Sequence, residues 1–149
     1  MAVVVRHTNY PARRWRLEPA SLIAAHRRVF ARRGIRQLVS IMATFGTSPA
    51  ETAKLFHVRR QALNKWMQVG VPQERLADVG RIAQSATGLR AFFRAERLPA
   101  IVRGPMPALA ERTILETIAA DGSDPIFALI DGLRSWTPPF ENAGELSQH

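Results

Sequence analysis

The chain contains no cysteine, which excludes a disulfide framework and any thiolate metal site. Its four histidines, His7, His26, His57 and His149, are scattered without ligand spacing, so no metal and no cofactor is expected. It lacks an apolar run of about 18 residues, the minimum for a membrane-spanning helix. The opening Met-Ala-Val-Val-Val before Arg6 is too short for a signal-peptide hydrophobic region, so the expected compartment is the cytoplasm. A Gly-rich phosphate loop, a nucleophile elbow and paired metal carboxylates are all missing, and the acids of the second half sit mostly where helix ends would use them as caps. No enzyme is expected. Period-two alternation and Asn-Gly hairpin turns are also absent, which leaves an all-α class.

Acid is scarce in the first half in particular. Residues 1–69 carry 13 Lys and Arg against only Glu18 and Glu51, a net +11, whereas residues 70–149 carry 8 against 10 acids, a net −2; together these make the overall +9. The basic half suits phosphate and the near-neutral half suits protein. Nineteen of the 21 basic residues are arginine, a bias that codon usage can produce, so arginine content alone is not read as chemistry.

The apolar residues, 46% of the chain, fall at helical spacing and suffice for a buried core. Residues 1–18, with Pro11 and no sustained period, read as a flexible basic arm. Residues 20–33 read as a helix with Leu22, Ile23, His26, Val29 and Phe30 on one face, ended by Gly34. Ile35, Leu38, Val39, Met42 and Phe45 mark a second amphipathic helix stopped by Gly46. Further on, Leu76, Val79, Ile82, Ala83 and Ala86 mark a helix ending near Gly88. Leu89, Phe92 and Phe93 open another that must break near Leu98, because Pro99 disfavours helix at the residue before it. Arg103-Gly-Pro-Met-Pro-Ala108 reads as loop. A short helix is expected over 112–120. A last helix has Asp124 as N-cap, Pro125 in its first turn, and a stripe of Ile126, Leu129, Ile130, Leu133 and Trp136 that Pro138-Pro139 terminates.

Between these lies residues 47–70, the segment that carries the function. Ser48-Pro49-Ala50-Glu51 is a helix start with the elements of a capping box. Ala53 is the small residue needed where a second helix crosses close by. Val58 fills the turn, Leu63 points into the angle between two helices, and Trp66 packs back on the first. This spacing is that of a helix-turn-helix, with a recognition helix from about Arg59 to Gln68. Position 57 of such a turn favours a left-handed backbone, so histidine there costs about 1 kcal/mol relative to glycine. The side chains left outward are Arg59, Arg60, Gln61, Asn64, Lys65 and Gln68: three cations, three amides and no acid. Arginine pairs with guanine edges, amides pair with adenine, and the remaining cations meet phosphate. Arg13, Arg14 and Arg16 of the arm are expected to add sequence-independent phosphate contacts.

The second half has its own signature. Leu55-Phe-His-Val-Arg-Arg-Gln-Ala-Leu-Asn-Lys-Trp66, then Arg94-Ala-Glu-Arg-Leu-Pro-Ala-Ile-Val-Arg103, then Pro107-Ala-Leu109 and Arg112-Thr-Ile-Leu-Glu-Thr-Ile118 together resemble the Xre/MbcA/ParS antitoxins. Ala110-Glu111 departs from the glycine-rich step expected before Arg112. The resemblance covers a little over half the chain. It implies a helix-turn-helix DNA-binding bundle (19–70) followed by a small helical toxin-binding domain (71–136) and a C-terminal tail (137–149). It also implies a partner toxin, typically a RES-domain protein that degrades NAD. Candidate toxin contacts are Arg94, Arg97 and Arg103 beside the Pro99 break, and Phe140 and Leu146 in the tail. The expected activity is that of an antitoxin and autorepressor. The alternatives are a stand-alone Xre-like repressor without a toxin, or an accessory factor of a mobile element. Specific reading by one helix requires two copies about 34 Å apart, so a homodimer on a palindromic operator is expected, joined through the 20–33 helix or the second half.

Overall fold

The computed structural model describes residues 19–136; the arm residues Arg13, Arg14 and Arg16 and the tail residues Phe140 and Leu146 lie outside them. The described chain is all-α. Its helices are α1 (Pro19–Phe45), α2 (Pro49–Leu55), α3 (Arg60–Val69), α4 (Leu76–Arg90), α5 (Leu98–Ile101), α6 (Ile114–Asp121) and α7 (Asp124–Ser135), with short 3-10 turns at Gln73–Arg75 and Pro107–Leu109. None of them is long and apolar enough to cross a membrane.

Where the sequence reading placed two helices separated by Gly34, there is one helix of 27 residues. Gly34 is a packing residue here, not a terminator. A Cβ at this position would stand 2.8 Å from Val71 Cγ2 and 3.0 Å from Leu76 Cδ2, so the glycine lets the start of α4 lie directly against α1. Gly46 does stop α1, with φ +63°, and the chain turns into the α2 capping box. There Ser48 Oγ accepts from the Glu51 backbone N–H while the Glu51 carboxylate accepts from the Ser48 N–H.

The expected helix over 89–98 is also replaced. α4 continues to Arg90, a series of turns follows, and Pro99 occupies the first turn of α5, where its missing N–H has no partner to lose. Thr113 and Glu116 form a second capping box at the start of α6, so that helix begins at Ile114 rather than Arg112. Ser123, not Asp124, is the residue before α7.

A single buried cluster spans both halves of the chain. Leu38, Ile41 and Phe45 of α1 meet Ala53, Leu63 and Trp66 on one side. On the other they meet Val79, Ile82 and Leu89 of α4, then Leu98, Ile114, Ile118, Ile126 and Ile130. Packing is closest between α1 and α4, with α7 lying over Gly88, where Ile130 fills the space a side chain would take.

Candidate nucleic-acid interface

The geometry of the 47–70 segment follows from a few local constraints. Thr52, wholly buried in α2, is tied down by Thr47 Oγ1 at 2.8 Å and donates to the Ser48 carbonyl at 2.8 Å. α2 ends at Phe56, and His57 adopts φ +57°, the left-handed turn residue that the motif demands. The Val58 N–H then donates to the Ala53 carbonyl, closing the turn over the small side chain of Ala53. Leu63 is fully buried in the angle between α2 and α3, and Trp66 meets Phe56 edge to face with ring centroids 5.9 Å apart. The second half contributes a brace the sequence did not announce: Arg75 donates to the Phe56 carbonyl at 3.2 Å and its guanidinium lies 6.0 Å from the Trp66 ring centre.

With Leu63 and Trp66 turned inward, Arg60, Gln61, Lys65 and Gln68 stand exposed on α3, Asn64 is half-buried beside them, and Arg59 is the exposed residue before the first turn. All six recognition candidates therefore share one helix and its entrance. Among the described residues none of the three cations is in an ion pair, so their charge is available to a ligand. The two N-termini of the motif differ as well. α2 is closed by its capping box, whereas α3 has no side-chain cap and no acid in its first turn. Its first backbone N–H groups, together with the positive end of the helix dipole, favour an anion.

Arg94 and Arg97 are exposed in the turns before α5. Arg103 is not a free surface cation. Its guanidinium donates to the carbonyls of Phe45, Gly46 and Pro99, each at 2.9 Å, and to Glu51 Oε2 at 3.0 Å. It locks α5 to the corner between α1 and α2. The Glu51 carboxyl is held below its ordinary pKa, first by the Ser48 backbone N–H and then by Arg103.

The α7 stripe holds five apolar residues, more than a small core must bury, and only Ile126 and Ile130 of them are buried. Leu129, Leu133 and Trp136, the last 62% exposed, instead line a groove of about 640 Å³ with Leu109 and Pro125. The signal available was the stripe's width: five apolar residues were more than one helix-sized contact needed. Pro107–Leu109, the other wall, leads into a turn in which Ala110 and Glu111 both take positive φ, +57° and +65°. This is the step at which glycine had been expected. Comparison with protein-family models, with curated proteins and with solved structures finds no match to the chain.

Proposed function

We propose that this chain is a non-catalytic, sequence-specific DNA-binding protein, a cytoplasmic autorepressor that also serves as the antitoxin of a protein toxin. The observation that carries the DNA reading is the outward face of α3: three cations that are in no ion pair among the described residues and three amides without an acid, beside a helix N-terminus with no side-chain cap. Arg60, Gln61 and Asn64 lie in its first turn and a half and read base edges in the major groove, while Arg59, Lys65 and Gln68 hold the phosphates alongside. One such helix reads a few base pairs, so two copies on a palindrome supply the specificity. In a gel-shift series against the DNA upstream of its own gene, Gln61→Ala costs about 1–3 kcal/mol at one base pair and spares random DNA. Lys65→Ala weakens all sequences and lowers the salt dependence. Equal loss on operator and random DNA from Gln61→Ala refutes the assignment.

The antitoxin part of the proposal draws on the resemblance to the Xre/MbcA/ParS antitoxins and on the apolar groove beside Trp136, an exposed surface in the half that lacks positive charge. The partner proposed is a RES-type toxin. Its test uses the full chain, because α4 and α7 share their core with α1. A variant with Arg60→Ala and Gln61→Ala loses operator binding yet still protects cells coexpressing the product of the adjacent gene. Trp136→Ser or Leu133→Ser loses protection and keeps DNA binding. If neither the parent nor the DNA-face variant protects, the chain is a stand-alone repressor.

A further inference from the structure

The first half of α1 extends past the body of the molecule, and the face it presents is apolar. Ile23 (54% exposed) and Phe30 (37% exposed) continue the stripe that Leu38 and Ile41 bury further along. Across from Phe30 stand Val69, 69% exposed at the end of α3, and Leu76 at the start of α4. Between these walls lies a cleft of about 930 Å³. Arg27 and Arg33 stand around it against a single acid in the lining, Glu74, while Arg81 at its edge is already paired with Asp124. α1 as a whole carries five arginines and no acid.

We propose that this cleft is a docking site for an acidic, amphipathic helical segment of another protein, a function separate from DNA reading and from the groove beside Trp136. Charge selects the occupant. A second copy docked through the same face would set Arg27 and Arg33 of one α1 against those of the other, and like charges at close range oppose association. DNA would satisfy the arginines and leave Ile23, Phe30 and Val69 in water. A membrane surface would meet the exposed stripe, but a flat bilayer cannot enter between Phe30 and Val69. A helix with an apolar face and glutamates along its flanks fills the cleft and pairs its rim at once, the helix-in-groove mode of recognition.

The site also has a place in the machine. Gly70, directly after Val69, lies so close to α1 that a Cβ would stand 2.5 Å from Ala31. A helix seated in the cleft therefore touches the end of the recognition helix.

The test is fluorescence anisotropy of the full chain with two synthetic peptides of about 18 residues, each with leucine on one helical face. One carries glutamate on the other face and one carries lysine. The glutamate peptide binds and the lysine peptide does not. Ile23→Ser and Phe30→Ser each weaken binding tenfold or more with unchanged helical circular dichroism. Val39→Ser, equally exposed on another face of α1, changes it less than twofold. Four results would each overturn the proposal: no binding of the glutamate peptide; binding that is indifferent to Ile23→Ser and Phe30→Ser, which marks charge attraction alone; a homodimer in light scattering that Phe30→Ser dissociates; or vesicles of anionic lipid bound in preference to the peptide.

Discussion

Removing the Arg103 guanidinium should loosen the joint between α5 and the α1–α2 corner, and the size of the effect can be worked from its partners. Arg103 reaches three backbone carbonyls and one carboxylate. A hydrogen bond of this kind is worth about 0.5–1.5 kcal/mol net, and the half-exposed pair with Glu51 adds no more than about 0.5 kcal/mol. The carbonyls of Phe45 and Gly46 end α1 and have no helical partners of their own, but at a side chain 38% exposed water replaces part of what is lost. Arg103→Ala is therefore expected to cost about 2 kcal/mol, which lowers the thermal midpoint of a chain this size by roughly 4–8 °C. Arg103→Lys keeps the charge and can satisfy one or two of the four acceptors, so it should recover less than half of that loss. Urea unfolding followed by circular dichroism measures both. If Arg103→Ala unfolds within about 0.5 kcal/mol of the parent, the clamp contributes nothing beyond an ordinary surface ion pair, and the argument fails.

Glu51 links stability to pH. Its folded-state pKa is depressed, so the stabilisation is full above the ordinary carboxylate value of 4.5 and is lost as pH falls through the lower folded value. The gap between parent and Glu51→Gln in urea midpoint should therefore be constant near neutrality and close below pH 4.5; a gap that widens in acid contradicts this. Ala110→Gly and Glu111→Gly should each stabilise by about 0.5–1 kcal/mol, since relief of a left-handed backbone outweighs the extra freedom of glycine in the unfolded chain; a destabilised variant would show that the strain is absent. Gly34→Ala sets a helix-propensity gain of about 1 kcal/mol against contacts with Val71 and Leu76 that cost about 1–3. A net loss of about 1 kcal/mol in thermal unfolding is expected, and a gain would mean that Val71 moves aside freely.

What was legible in the sequence was what neighbouring residues decide among themselves. Ser48 and Glu51 cap each other across three residues, and Ala53, Val58, Leu63 and Trp66 define the turn within fourteen positions, so α2, the turn after it, α3 and its outward side chains were legible from the sequence. The misreadings share one cause, distant partners. Gly34 looks like a stop until Val71 is brought against it. Arg103 looks like a surface cation until Phe45, 58 residues away, supplies its carbonyl.

The continuous core bears on how such a protein can change over generations. A gene cut between residues 70 and 71 would separate α1 from α4, and each fragment would display the apolar side chains that the other covers. Recombination therefore has no cassette to exchange at that point. A lineage that changes what its surface recognises must do so by replacing side chains on α3, or around the grooves, while the shared interior is inherited whole.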